Sequence, residues 1–225
     1  MSDLPCGTKN YTYAADMAIF RTRTQWVLLG IFLVVLFTAP LYLSSYWLSV
    51  INLIGITIVA ATGLNILTGY CGQLSVGHAG FIAVGAYTSA VLTSRLDMPF
   101  PVAIVASGLL AGLIGIIFGV ASLRVKGFYL AIATIAAQII IIWVINHMTS
   151  ITGGFMGLSV PRIEMFGITF NTGQSQFFLI FIIALAVVFY AKNLVRTRVG
   201  RAFVAIRDND LAAEVMGINL FRYKL

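Results

Sequence analysis

The sequence predicts an all-α integral membrane protein with about six transmembrane helices, a cytoplasmic amino terminus and a broken or re-entrant segment near 69–80. Three observations point there. Hydrophobic residues make up 60% of the chain against 9% charged, and mean hydropathy is +0.99. Charge-free apolar runs of about 20 residues recur along it, the length that crosses a hydrocarbon core. The Lys and Arg residues fall between those runs and mostly to one side of them.

In order, the spans are expected at 26–43, 48–68, 78–94, 99–123, 128–147 and 176–194. The segment 1–25 is expected to be a cytoplasmic amino-terminal stretch. It carries Asp3, Lys9, Asp16, Arg21 and Arg23, and no short apolar run in it ends in a small-residue cleavage site, so a removed signal peptide is not expected. The fourth span places Gly108, Gly112, Gly115 and Gly119 on one helical face, where a second helix of this chain or of another subunit can approach closely. The sixth is short, with Lys192 placed to snorkel from its end. Together, 26–194 form the transmembrane domain.

With the amino terminus inside, the inner side carries Lys9, Arg21, Arg23, Arg124, Lys126 and all seven Lys/Arg from Lys192 onward, against Arg95 and Arg162 outside. Losing one span would invert everything after it, so this split supports both the orientation and the count. The net charge of +7 therefore reports orientation or contact with anionic headgroups, and nucleic acid is not an expected partner. Cys6 and Cys71 are isolated in the sequence, so neither a disulfide framework nor a metal site follows from them.

Outside the bilayer, the segment 148–175 is expected to form one long loop. Gly153-Gly154, Gly157 and Pro161 supply turn signals, and the alternating IEMFGITF is suited to a short hairpin. A docking role and a bare surface loop are both open readings.

The stretch GLNILTGYCGQLSVGHAGFIAVGAY, 63–87, interrupts this apolar pattern with Asn65, Gln73, Ser75 and His78 among glycines. Irregular backbone is not tolerated against lipid, so such a break is buried in protein or lines a wet cavity. Transport proteins use broken helices in this way to present polar groups to a solute. Asn65, Gln73, Ser75 and His78 are therefore candidate pathway or gate residues; the competing reading is a tight interfacial turn whose polar side chains are simply wetted. Gly69, Gly72, Gly77 and Gly80 would permit the turn and the close approach.

Several function classes recede. No Asp or Glu lies within the six spans, which disfavours a self-driven proton symporter. His78 and His147 fall near opposite ends of their spans, and no nucleophile with an adjacent base stands out, so an enzyme or a metal centre is not expected. There is no G-x-x-x-x-G-K-[ST] loop, so any nucleotide hydrolysis belongs to another polypeptide.

The tail 195–225 is expected to be a cytoplasmic loop of one or two short helices, with Asp208 or Asp210 as N-caps. An amphipathic helix lying on anionic lipid is the alternative, against which Asp208, Asp210 and Glu214 supply three negative charges. Within it, Leu211-Ala212-Ala213, three further residues and Gly217 resemble the EAA-x-x-x-G coupling loop of ABC importer permeases, with Leu211 where the first acid would stand. GLNILTGYCGQLSVGHAGFIAVGAYTSA (63–90), LRVKGFYLAIATIAAQIIIIWV (123–144), SITGGFMGL (150–158) and RTRVGRAFVAIRDNDLAAEVMGIN (196–219) resemble signature segments of the branched-chain amino acid ABC transporter permeases, most closely the M-type subunit.

That resemblance implies a transport subunit rather than an enzyme, in a bacterial inner membrane. Its implied partners are two ATPase subunits carrying ATP and Mg, a second homologous permease and an external solute-binding protein; no cofactor is expected on this chain. Arg207, Asp208, Asp210, Leu211, Ala212, Ala213, Glu214 and Gly217 become the expected ATPase-coupling surface. Branched-chain amino acids are the implied solute, with urea or short amides as the alternative within the family and a passive channel or membrane scaffold as the alternative outside it. Family members continue with further spans after the coupling loop, so a chain truncated relative to the family is expected.

Overall fold

The structure is a computed structural model that describes residues 23–122, 125, 127–160, 164–165, 168–170 and 172–225. The chain divides into two compact units, Met1–Leu48 and Ser49–Leu225. Helix α1, Arg23–Tyr42, lies in the first unit, and α2, Ser45–Leu64, begins at its end. In the second unit, α2 continues through a single π-helical turn, Asn65–Tyr70, and α3 (His78–Arg95), α4 (Phe100–Ser122) and α5 (Phe128–His147) follow. Then come the one-turn α6 (Thr149–Thr152), a 3-10 turn at Gly154–Met156, the two-residue strands β1 (Glu164–Met165) and β2 (Ile168–Thr169), and the long α7 (Gly173–Arg196). Three short helices close the chain: α8 (Arg198–Asp208), α9 (Asp210–Val215) and α10 (Leu220–Lys224).

Among the described residues five helices are long and apolar enough to cross a membrane: Arg23–Tyr42, Ser45–Tyr70, Phe100–Val120, Phe128–His147 and Gly173–Arg196. The third expected span, 78–94, does form a helix, but it falls outside this group. Its 18 residues are diluted by His78, Thr88, Ser89, Thr93, Ser94 and Arg95. Three of its hydroxyls are nevertheless satisfied within the helix: Thr88 Oγ1 donates to the Val84 carbonyl at 2.7 Å, Ser89 Oγ to Ala86 at 2.9 Å and Thr93 Oγ1 to Ser89 at 2.8 Å. Back-bonding of this kind lets a polar helix sit inside a bundle, and α3 packs mainly on α4 and next on α5.

The final span is longer than the apolar run suggested. Thr172 and Ser175 form a reciprocal capping box, so α7 begins at Gly173, in polar residues that hydropathy assigns to the loop. Lys192 accordingly lies a turn inside the helix rather than at its end. The loop 148–175 is shortened to match. It contains α6 and an antiparallel pairing of Glu164 with Thr169 and Met165 with Ile168, the hairpin that the alternation suggested; Pro161 and Arg162 lie outside the described residues.

Glycines set the close contacts between helices. A Cβ on Gly80 would stand 3.0 Å from Gln138 Cα, and one on Gly55 would stand 2.7 Å from Ile180 Cγ2. These are the α3–α5 and α2–α7 crossings. The α2–α7 contact also holds Phe177 and Phe181, buried with ring centroids 4.5 Å apart, and an Asn52 Nδ2 to Gly173 carbonyl bond of 3.2 Å. The glycine series of α4 behaves differently. Nothing lies within 4 Å of a Cβ on Gly108 or Gly112, whereas Gly115 faces Phe81 and Gly119 faces Leu225.

The tightest contact is at Gly77, where a Cβ would fall onto the Thr134 carbonyl. Gly77→Ala is expected to lower stability by about 1–3 kcal/mol through overpacking. Gly85→Ala, within the α3 helix that follows, meets open space and is expected to be neutral or stabilising. Thermal unfolding of the two variants in detergent checks the contrast.

Candidate functional site

The polar interruption and the tail meet at one end of the second unit. Between Tyr70 and His78 the chain leaves helical geometry for seven residues, Cys71–Gly77. The expected break at 69–80 is thus narrower, since Gly69 and Tyr70 belong to the π turn and His78–Gly80 to α3. The π turn finishes with the Cys71 amide donating to the Ile66 carbonyl at 3.2 Å and the Gln73 amide to Leu67 at 3.1 Å. Gly72 has φ +71°, and a Cβ there would lie 2.8 Å from Arg207 Cγ. Glycine is required at 72 twice over, for conformation and for room.

Two clefts flank this break. One, of about 360 Å³, is polar and lies between the break and the tail, lined by Gln73, Arg207, Asp208, Asn209, Asp210 and Lys224 among others. The other, of about 480 Å³, is more apolar and lies between α3, α4 and α5, with Gln73, Ser75, Thr134 and the glycines 112, 115 and 119 on its wall.

The four pathway candidates do not converge. Gln73 borders both clefts and Ser75 the second. Asn65 is exposed at the start of the π turn, its side chain folded against Gly69. His78 packs beside Gly63, with its ring atoms 3.7 Å from where a Cβ would stand. Neither Asn65 nor His78 lines either of these two clefts. Gln73 Nε2 donates to the Lys224 carbonyl at 3.0 Å, and the Val76 amide donates to Thr134 Oγ1 at 3.1 Å.

The tail folds as three helices rather than one or two, and its caps are asparagines rather than the expected Asp208 or Asp210. Asn209 Oδ1 accepts the Ala212 amide at 3.0 Å, and Asn219 Oδ1 accepts the Arg222 amide at 3.1 Å. Asp208 ends α8, and Asp210 sits in the first turn of α9, where a negative charge suits the helix dipole. Gly217, at φ +88°, closes α9. Its amide donates to Glu214 at 2.9 Å and that of Ile218 to Ala213 at 3.0 Å, the paired bonds of a Schellman ending.

Of the expected coupling residues, Ala213 is buried with Cys71 and Ile206 in a small core completed by Phe203, Ala205, Ile218, Leu220 and Tyr223. Ala212 and Glu214 are exposed. Leu211, Val215 and Met216 are 65, 87 and 83% exposed, so α9 presents apolar side chains outward that its own core does not use. Arg207 reaches back to the break: Nη1 donates to the Gly69 carbonyl at 3.1 Å, while Nε and Nη2 each donate to Asp208 Oδ1 at 3.2 Å. Lys224 Nζ pairs with Asp210 Oδ2 at 3.4 Å.

Three contributors escaped the sequence. Lys224 and Thr134 act from 151 and 58 residues away from their partners, and no local pattern marks them. Asn209, immediately before a short helix, did carry a recognisable capping signal. Cys71 lies under the site, where burial pushes its thiol above the ordinary cysteine value and Lys224 pulls the other way.

These features define a multi-pass α-helical membrane protein whose chain breaks at one bundle end against a short helical tail. The comparisons with known proteins make the class specific. Residues 46–225 match the family model described as branched-chain amino acid transport system / permease component, and the chain belongs to that family. It is 32% identical over 229 residues to the high-affinity branched-chain amino acid transport system permease protein LivM of Escherichia coli (strain K12), and 31% identical to LivM of Salmonella typhimurium. Each alignment covers 91% of this chain and 54% of the relative. A probable branched-chain amino acid transport permease protein LivM of Methanocaldococcus jannaschii is 23% identical over 204 residues, 76% of this chain and 59% of the relative. The chain spans about half the length of the curated relatives it matches. No solved structure matches it significantly.

Gly217→Ala is expected to cost about 1–2 kcal/mol, because a left-handed residue acquires a Cβ, although nothing in the surroundings would clash. Gly217→Asn should cost less, and chemical denaturation compares them. In a Cys6→Ser background, Cys71 should react with a maleimide at neutral pH far more slowly in the folded protein than after denaturation, and the folded rate should rise as pH is raised.

Proposed function

We propose that this chain is a membrane subunit of an ATP-driven importer for branched-chain amino acids, in a bacterial inner membrane with its amino terminus cytoplasmic. The observation that carries the reading is the seating of the tail helices directly on the polar break, in a chain that belongs to a permease family. ATP hydrolysis, with its Mg, belongs to two separate ATPase subunits, and a second homologous permease completes the pathway. An external binding protein delivers the solute, and the loop between α5 and α7 faces it.

The tail is the ATPase-docking surface. Exposed Leu211, Val215 and Met216 beside Glu214 give a compact apolar anchor with a charged neighbour, the composition expected of a protein-binding patch. Solute selection then lies mostly with the binding protein, and the pathway itself binds weakly, since a site that must release solute gains nothing from tight ground-state binding. The clefts beside Gln73 and Ser75 suit that role: they are open and, taken together, mixed in polarity.

The test is purification of the assembly from detergent through a tag on this chain, followed by an ATPase assay with and without leucine-loaded binding protein. Co-purifying ATPase and stimulation by the loaded protein are expected. Purification of the chain without any ATPase would sink the reading. In the same assembly, Glu214→Arg is expected to abolish uptake while capture of solute by the binding protein is unchanged.

A further inference from the structure

We propose that Arg207 and Gln73 form a reciprocal hydrogen-bonded clasp that makes the break 71–77 and the tail helices α8–α10 move as one body, so both are positioning residues of transport. The inference rests on the importer reading above and names how its two surfaces are joined.

A helix leaves its last carbonyls without internal partners, and those groups carry the negative end of its dipole. The helix that begins at Ser45 ends at Tyr70, and its Gly69 carbonyl is taken by Arg207 Nη1 from the tail, at 3.1 Å. In the opposite direction, Gln73 Nε2 from the break donates to the Lys224 carbonyl on α10, at 3.0 Å. Each element therefore donates one side-chain hydrogen bond to the other's backbone. Lys224 Nζ, bonded to Asp210 Oδ2 at 3.4 Å with both side chains largely covered, closes the circuit through α9.

Beneath this polar circuit lie Cys71, Ile206 and Ala213, which are 5, 4 and 4% exposed. One residue of the break, one of α8 and one of α9 thus share a single core. The Arg207–Asp208 pair adds little by itself, since those side chains are 46 and 64% exposed and surface pairs are weak. What it does is hold the guanidinium with Nε and Nη2 engaged and Nη1 aimed at Gly69.

From the break the connection continues inward. The Val76 amide is held by Thr134 Oγ1, Gly77 abuts the Thr134 carbonyl, and Gly80 lies on Gln138. A push on the exposed face of α9 must therefore either rupture the clasp or carry Cys71–Gly77 and the start of α3 along α5. On this view the Gln73 amide is engaged with backbone rather than with solute.

The experiment uses the complete importer in proteoliposomes with its binding protein, and reads leucine transported per ATP hydrolysed alongside assembly yield. Gln73→Leu and Arg207→Met are each expected to lower that ratio by about fivefold or more, the scale of a typical coupling energy. The double variant should be no worse than the poorer single, because both break one circuit. Arg207→Lys, which keeps a donor for the Gly69 carbonyl, should recover part of the loss; if Arg207→Met does not assemble, Gln73→Leu and Arg207→Lys carry the test. A purely structural role would reduce transport and hydrolysis together. An unchanged ratio in the variants, or losses that multiply, overturns the clasp alone. Absence of ATP-dependent uptake by the wild-type assembly overturns the importer reading and the clasp with it.

Discussion

The carboxy-terminal end of the helix that runs from Ser45 to Tyr70 is where the rest of the second unit is organised. Backbone polar groups near hydrocarbon must find partners within the protein, and this helix stops where the chain turns through Gly72 into non-helical geometry. Its terminal groups are met partly by the chain itself, through the Cys71 and Gln73 amides, and partly by Arg207. Satisfying that one helix end brings α8 against the break. With α8 fixed, α9 and α10 follow through the Cys71–Ile206–Ala213 core and the Gln73–Lys224 bond.

The same constraint explains the local chemistry of the break. Glycines at 72, 77 and 80 are not spare flexibility; each admits a neighbour that a Cβ would displace: Arg207, Thr134 and Gln138 respectively. Polar residues appear at alternate positions because the backbone there is open and its side chains line clefts rather than lipid. A surface helix could lose one of these contacts cheaply. Here the contacts are shared among three tail helices and the ends of α2 and α3, so their loss is expected to propagate.

Much of the fold was legible from hydropathy and helix chemistry. Long apolar runs became helices at 23–42, 45–70, 100–122, 128–147 and 173–196, and the alternation in 163–170 became a two-strand pairing. Boundaries moved where capping outweighed hydropathy, as at Thr172–Ser175. Among the candidate site residues, Arg207, Asp208 and Asp210 do gather with Gln73 around one cleft. Asn65 and His78 do not join them, because the π turn directs the first against Gly69 and the start of α3 leaves the second beside Gly63.

By itself the sequence determined that this chain enters a membrane, where its helices begin and end to within a few residues, and which family it resembles. Those properties are written in composition, in residue spacing and in short motifs, all of which are local. Only the tertiary structure decided that Arg207 caps a helix 138 residues away, that Gln73 answers from the other side through Lys224, and that Thr134 anchors the break. Such bonds join groups whose sequence separation carries no signal, and backbone carbonyls, which every residue has, cannot be singled out until the chain has folded around them.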